Sequence, residues 1–216
     1  MQYYVDVFWQ ILPGTWLTLQ IFLITLALSI PLGLSCALLR LSRWQAVAGA
    51  VSTYIWLMRG TPLILQLLFI YYALPNIPYI GVRLDDYSSA LLAFALNYAA
   101  YFAEIFRAGI QSIDRGQYEG AKVLGMSYGQ TMRRIILPQM IKRVLPPVSN
   151  ETITLVKDTS IVYVLTMTEL LRSARIIVQR DSTTSPFIVA AAFYLVMTLV
   201  LTWLFRWLEK RTSVYE

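Results

Sequence analysis

One stretch of the sequence, EGAKVLGMS (Glu119 to Ser127), has almost the spacing of a nucleotide-binding loop. Gly120 and Gly125 are separated like the glycines of a phosphate-binding G-x-x-x-x-G loop, and Ser127 follows where a Mg²⁺-binding hydroxyl would be expected. Met126, however, takes the position of the lysine that neutralises the β- and γ-phosphates. Spacing alone leaves open a decayed nucleotide site, a coincidence, or a segment that serves ATP without binding it.

Other residues that could do chemistry are scarce. The sequence has no histidine, the commonest general base and transition-metal ligand, and its one cysteine, Cys36, excludes a disulfide within the chain. Lys157 and Ser160 are spaced like a base and a nucleophile, but nothing supplies an oxyanion site or a third, orienting group. The sequence therefore predicts a non-catalytic chain without a metal site.

The composition indicates a membrane protein. Of the 216 residues, 57% are hydrophobic and only 14% are charged, whereas a soluble domain is roughly a quarter charged. A bilayer core of about 30 Å needs roughly 20 apolar residues in a helix. We predict an all-α integral membrane protein, a single domain over residues 1–216, with five transmembrane helices at about residues 15–39, 51–74, 88–110, 145–165 and 187–208.

The loops between these spans predict the orientation. If the N-terminus is outside, the inner segments contain twelve lysines and arginines and the outer segments contain four. Because basic residues accumulate on the cytoplasmic side, the chain is predicted to run N-out and C-in. The net charge of +6 is then a consequence of membrane orientation, and nucleic-acid binding is not needed to explain it.

Several blocks resemble the permease subunits of ATP-binding-cassette importers. Glu119-Gly120-Ala121, followed by Gly125 and then by IILP (135–138), is similar to their E-A-A-x-x-x-G-x₉-I-x-L-P signature. RGTPLILQL (59–67), AAYFAEIFRAGIQSI (99–113) and NETITLVKDTS (150–160) are similar to the branch that imports polar amino acids. The blocks cover about half of the chain in the right order. Gly120 departs from the usual alanine, which costs about 1 kcal/mol of helix propensity.

The resemblance implies that residues 111–144, between the third and fourth spans, contain a cytoplasmic coupling helix that docks on a separate ATPase subunit. The residues implied at that contact are Glu119, Gly120, Ala121, Leu124 and Gly125. ATP and Mg²⁺ would be bound by the partner, and this chain would hold no cofactor. The other implied partners are a second permease subunit, identical or homologous, an extracytoplasmic amino-acid-binding protein and the amino acid itself. The expected location is a bacterial inner membrane.

A substrate site is expected where polar residues interrupt the spans. In RGTP, Thr61 suits a helix cap and Pro62 the first position of a helix, so the second span reads as two half-helices. The free N–H groups near Gly60 and Thr61 would suit the carboxylate of an amino acid. A proline kink without a binding role is the alternative.

The third and fourth spans add further candidates. Asn97, Tyr101 and Glu104 share one helical stripe, and Glu104 could receive a substrate ammonium or pair with Arg59 or Lys157. Glu151 enters the fourth span at a similar depth. Two carboxylates near a half-helix would suit a zwitterion, with a basic side chain as one option.

Two residues of the fourth span, Lys157 and Asp158, are adjacent and point apart, so structural ion pairs with other partners are the preferred interpretation. A proton-coupled secondary transporter that uses them with Glu104 as a relay is the alternative function. Uptake that persists after ATP depletion would favour it.

Overall fold

The computed structural model describes residues 2–78 and 81–212, and every regular element in these ranges is helical. The helices are α1 (Gln2–Arg40), α2 (Gln45–Gly60), α3 (Leu63–Leu68), α4 (Asp86–Gln111), α5 (Arg115–Val123), α6 (Tyr128–Thr131), α7 (Leu137–Asp158), α8 (Leu170–Asp181) and α9 (Ser185–Thr212). A π-helical turn (Phe69–Ala73) and a 3₁₀ turn (Leu74–Asn76) extend α3. A second π-helical turn (Met132–Ile136) joins α6 to α7, and a 3₁₀ helix (Thr159–Leu165) follows α7. The predicted all-α class is confirmed.

Among the described residues, α1, α4 and α9 are each long and apolar enough to cross a membrane. The α2–α3 pair gives a fourth crossing if its two bent halves count as one. The predicted fourth span, residues 145–165, corresponds to the second part of α7 and the 3₁₀ helix, where Glu151, Lys157 and Asp158 lower the hydropathy. The count of five spans therefore stays a prediction.

The two central helices, α1 and α4, pack against each other over much of their length. Their backbones come close at Gly33, where an added Cβ would lie 2.7 Å from Phe102 Cβ and 2.9 Å from the Ala99 carbonyl oxygen. Small residues allow such approaches between membrane helices, because lipid supplies no hydrophobic force to hold them together. This close contact makes α1 and α4 the axis around which the other helices are arranged.

One end of the bundle, here called the N-terminal face, consists of the first turns of α1, α8 and the start of α9. The Tyr3 hydroxyl donates to Asp181 at 3.0 Å, and the Arg180 guanidinium donates to Gln10 at 2.8 Å. Phe8 of α1 stacks on Phe193 of α9, with ring centroids 5.0 Å apart. These contacts hold α8 and α9 alongside α1.

A buried carboxylate, Glu169, fixes the start of α8. Its side chain is inaccessible to solvent and accepts the backbone N–H groups of Leu171 and Arg172, each at 2.7 Å. The Tyr194 hydroxyl of α9 donates to the same carboxylate at 3.3 Å, and the Leu170 N–H donates to the Thr18 hydroxyl of α1 at 3.2 Å. An acidic cap satisfies N–H groups that a helix start leaves free. Glu169 thereby connects α8 to α9, and the neighbouring Leu170 N–H connects the same helix start to α1.

Candidate functional site

The RGTP segment breaks the second span, as predicted: α2 and the helical segment that begins with α3 meet at 107°. The predicted capping, however, is wrong in detail. Pro62 precedes the first turn of α3 instead of occupying it, and the Thr61 hydroxyl donates back to the Leu57 carbonyl at 2.8 Å. The residue before a proline is forced towards extended backbone. Thr61 is therefore extended (φ −122°, ψ 146°), which ends α2 at Gly60.

Two side-chain amides tie this break to α4. Asn97 donates to the Met58 carbonyl and to Gln66 Oε1, both at 3.0 Å. Gln66 donates in turn to the Met58 carbonyl at 2.9 Å and to the Thr61 hydroxyl at 2.7 Å. Asn97 is buried and its amide nitrogen is fully engaged, so it holds the break in place. Sequence reasoning did not single out Gln66, although an isolated amide in an apolar half-helix was the available signal.

Glu104 lies at the centre of a charged cluster with Arg40, Arg59 and Arg107, hereafter the Glu104 cluster. Its carboxylate pairs with Arg40 at the end of α1, with Arg107 at 2.7 Å and with Arg59 at 4.0 Å. Of the two partners predicted for Glu104, Arg59 is found close to its carboxylate. Lys157 is not found there among the described residues. Three guanidinium groups share one carboxylate, which leaves an excess of positive charge. In this conformation Glu104 is a counter-ion for arginines from three helices.

Two residues of the predicted stripe on α4 face a cavity of about 410 Å³ between α1, α2 and α4. Tyr101, Glu104, Arg59 and Gly60 are among its lining residues, and the Arg59 guanidinium lies over the Tyr101 ring, 5.2 Å from its centroid. Asn97 is not among the lining residues. The cavity therefore brings together three of the predicted substrate residues, Gly60, Tyr101 and Glu104.

Two faces of α7 differ in their exposure. Asn150, Thr154 and Lys157 are exposed, whereas Glu151 and Asp158 are partly buried. The ion pair preferred for Asp158 is not found among the described residues, where its carboxylate instead accepts a hydrogen bond from the Tyr98 hydroxyl of α4 at 2.7 Å. A phenol on the facing helix satisfies the carboxylate without a second charge. Glu151 is left on the same face without a hydrogen bond of its own among those described.

The segment between α4 and α7 contains two short helices, α5 and α6. α5 ends at Val123, and Gly125 just beyond it adopts the left-handed backbone (φ +69°) that glycine commonly supplies at a helix end. Ser127 caps α6 and forms a reciprocal capping box with Gln130, which explains its presence without any nucleotide chemistry.

The residues predicted to contact an ATPase differ in their exposure. Glu119 and Gly120 are exposed, and Val123 and Leu124 are 87% and 77% exposed, so this tip offers apolar surface. Ala121, in contrast, is buried within the chain. Val123 was not predicted from the sequence. It could have been noticed there because it forms an apolar pair with Leu124 in an otherwise polar segment.

Comparison with solved structures defines the class of protein. The chain superposes with a TM-score of 0.86 on a subunit of an amino acid ABC transporter crystallised with histidines, at 38% identity over 98% of this chain and 96% of that one. It also superposes on a chain of the MetNI methionine ABC transporter with a TM-score of 0.79, at 16% identity, covering 94% of this chain and 96% of the other. The second match shows the fold alone. The fold is that of an ABC transporter permease.

The family is shown by sequence. Residues 29–214 match the model of the binding-protein-dependent transport system inner membrane component family. The chain is 37% identical to the arginine transport system permease protein ArtQ of Bacillus subtilis, over 93% of this chain and 91% of the relative. It is 38% identical to the glutamate/aspartate import permease protein GltK of Escherichia coli O157:H7, over 94% and 93%. The chain belongs to this family and is a multi-pass inner-membrane transport component without catalytic activity of its own.

Proposed function

We propose that the chain is the membrane-spanning subunit of an ATP-driven importer that moves a polar amino acid into the cytoplasm. The observation that carries the proposal is the family match together with relatives named for amino acid transport over nearly the whole chain. The charge distribution of the loops supports an orientation with the start of α1 outside and the end of α9 in the cytoplasm. Two permease subunits would enclose the pathway, and an extracytoplasmic binding protein would deliver the substrate.

The coupling loop is proposed to dock on the ATPase subunit through the exposed tip at Val123 and Leu124. Exposed apolar residues at a loop tip typically mark a contact with another protein. ATP and Mg²⁺ would be bound by that partner, since Met126 replaces the lysine a phosphate loop needs. The near-match to a nucleotide loop is a coincidence in this interpretation.

Contacts between α4, α5 and α7 support a mechanical role for this loop. Gln139 of α7 donates to Gln117 of α5 at 3.0 Å, and Arg143 of α7 donates to the Ser112 carbonyl at the end of α4. An added Cβ at Gly109 would lie 2.2 Å from Val144 Cγ1, so α4 and α7 are in close contact here. A push on α5 would therefore reach α4 and α7, two of the helices that carry candidate substrate residues.

The substrate is proposed to lie between the break and α7. Its carboxylate would approach Gly60 and Thr61 beside the Arg59 guanidinium, and Tyr101 would form one wall. Glu151 would receive the ammonium or a cationic side chain. Glu104 is less suited to that role than the sequence indicated, because three arginines already share its carboxylate.

Replacing Leu124 by aspartate is expected to uncouple the permease from its ATPase. A charge placed at an apolar contact typically costs 2 kcal/mol or more, which corresponds to about a 30-fold weaker association. The measurement is the amount of ATPase that co-purifies with the permease from native membranes, read by mass spectrometry, together with uptake. Leu124→Met, which keeps the apolar volume, is the matched control. Full co-purification and normal uptake with Leu124→Asp would contradict the proposed contact.

Replacing Glu151 by glutamine is expected to change substrate selectivity. A hydrogen bond to a charged group contributes about 1.5–3 kcal/mol, so competition by arginine against glutamine uptake should weaken about ten-fold or more. Competitive uptake into proteoliposomes that contain the whole complex measures the effect. Glu209→Gln, the same change at the end of α9, serves as the control. Unchanged selectivity would remove Glu151 from the substrate site.

A further inference from the structure

The last helix, α9, has one face that the rest of the chain does not cover. Only 6% of its most apolar stretch is buried, and its buried residues, Pro186, Ala190 and Phe205, lie on the side that packs against the bundle. The opposite face is 56–69% exposed at Leu195, Val196, Leu199, Val200 and Trp203. A continuous apolar stripe of this kind requires either lipid or a second protein to cover it.

The same face becomes basic and aromatic towards the end of the helix. Arg206, Lys210 and Arg211 are exposed, and at 3.6 residues per turn they lie within about 80° of Trp203 around the helix axis. The Arg211 guanidinium lies over the Trp207 ring, 5.3 Å from its centroid. No ion pair found in the described part of the chain involves Arg206 or Arg211. We call Trp203, Arg206, Trp207 and Arg211 the α9 basic end.

The α9 basic end lies at the depth of phospholipid headgroups. From Phe187, the first exposed apolar residue of α9, to Arg206 the helix rises by about 28 Å, which matches a hydrocarbon core of about 30 Å. Tryptophan is enriched at the edge of this core, because its ring is apolar and its N–H is polar. Arginine side chains extend from the same depth into the headgroup layer. The two guanidinium groups therefore lie level with lipid phosphates.

The charge of this face favours lipid over a second copy of the chain. In a two-fold symmetric contact a patch meets itself, so the arginines of both copies would be brought together and would repel. Glu209 does not compensate for them, because it is half-buried and lies about 120° from Trp203 around the helix axis. An anionic headgroup neutralises Arg206 and Arg211 without bringing like charges together.

We propose that the α9 basic end binds the headgroup of an anionic phospholipid in the cytoplasmic leaflet. The phosphodiester would lie over Trp207, between Arg206 and Arg211, and the acyl chains would follow the exposed stripe at Leu199 and Val200. The Trp207 ring holds the Arg211 guanidinium in place, while its N–H groups stay available to phosphate oxygens. The binding site is independent of ATP-driven import, and only the choice of leaflet rests on the proposed orientation.

The test is the double variant Arg206→Gln/Arg211→Gln in the purified native complex, with phosphatidylglycerol as the probe. Native mass spectrometry during a lipid titration measures the affinity of the tightest site. An arginine near the membrane surface strengthens the binding of anionic lipid about five-fold, so the double variant should bind about 30-fold more weakly. Trp207→Leu should weaken binding about three-fold, because Arg211 loses the ring that positions it.

Two controls separate the site from charge and folding. Arg133→Gln/Arg134→Gln removes the same charge from two exposed arginines in the π-helical turn before α7, and it should leave the affinity of the tightest site unchanged. In phosphatidylcholine nanodiscs the Arg206→Gln/Arg211→Gln variant should unfold at the wild-type temperature, which shows that it is folded. In phosphatidylglycerol nanodiscs the wild type should unfold at a higher temperature than this variant.

Three results would overturn the inference. Unchanged affinity for phosphatidylglycerol in the Arg206→Gln/Arg211→Gln variant would exclude these arginines. Displacement of the bound lipid by inorganic phosphate would make the site a general anion site. Disulfide formation between two Leu199→Cys permease subunits would make a second copy the occupant of the stripe. Each of these results leaves the proposed import function intact, since that function does not depend on lipid binding at α9.

Discussion

Replacing Glu104 by glutamine is expected to abolish most transport and to destabilise the permease by roughly 2–3 kcal/mol. Removing one partner of a buried ion pair typically costs about 3–5 kcal/mol, because the other charge is left without compensation. The value here is set lower because the arginines keep partial access to solvent, with side-chain exposures of 26–43%. Thermal unfolding of the complex in nanodiscs measures the stability, and amino acid uptake measures the transport.

A double substitution separates this role of Glu104 from direct substrate binding. If the Glu104 cluster is a structural network, adding Arg40→Gln to Glu104→Gln should cost less than the sum of the single effects, since one unpaired charge is removed. Arg43→Gln, three residues further along in the exposed turn between α1 and α2, should give no such compensation. A Glu104→Gln variant with wild-type stability and altered selectivity alone would contradict the network role.

Local features of the chain could be predicted because they depend on the conformation of single residues. Pro62 restricts the residue before it, and that restriction alone breaks the second span. Gly125 adopts a backbone that other residues avoid, and that preference ends α5. In both cases the tertiary structure only had to agree with a preference already present in the sequence.

Partner choice could not be predicted, because helical periodicity defines the face of a residue and not the helix it meets. Arg40 was counted only among the basic residues of an inner loop, yet it pairs with Glu104, 64 positions later in the chain. Asp158 was expected to find a cation and meets Tyr98 instead. Glu169 was not among the candidate residues of the sequence, although it is a buried cap. Each outcome depends on how the helices pack.

The roles of the polar residues inside the spans could not be predicted for a similar reason. Asn97 and Glu104 were both predicted to face a substrate because both are polar residues inside a span. Asn97 is engaged with Gln66 and Glu104 with arginines, so both are satisfied by the protein. An intramembrane polar residue must find a partner, but the rule does not say whether the partner is a ligand or another helix.

Replacing Gly33 by valine is expected to give the largest loss of stability, about 3 kcal/mol, because it separates α1 from α4. The added Cβ would lie 2.9 Å from the Ala99 carbonyl oxygen and 3.1 Å from the Ala103 nitrogen. These are backbone atoms that cannot rotate away, so a helix must move, and overpacking of this kind typically costs about 1–3 kcal/mol or more. For a chain of this size, the unfolding midpoint should fall by about 6–12 °C.

The matched control is Gly49→Val, since a Cβ at Gly49 would meet no other atom within 4 Å. Valine and glycine differ by only about 0.4 kcal/mol in helix propensity, so this control should unfold close to the wild-type temperature. Scanning fluorimetry of the two variants in the purified complex gives the comparison. Equal midpoints would mean that α1 and α4 can separate without cost. The close α1–α4 contact could then not be the axis that keeps the Glu104 cluster assembled.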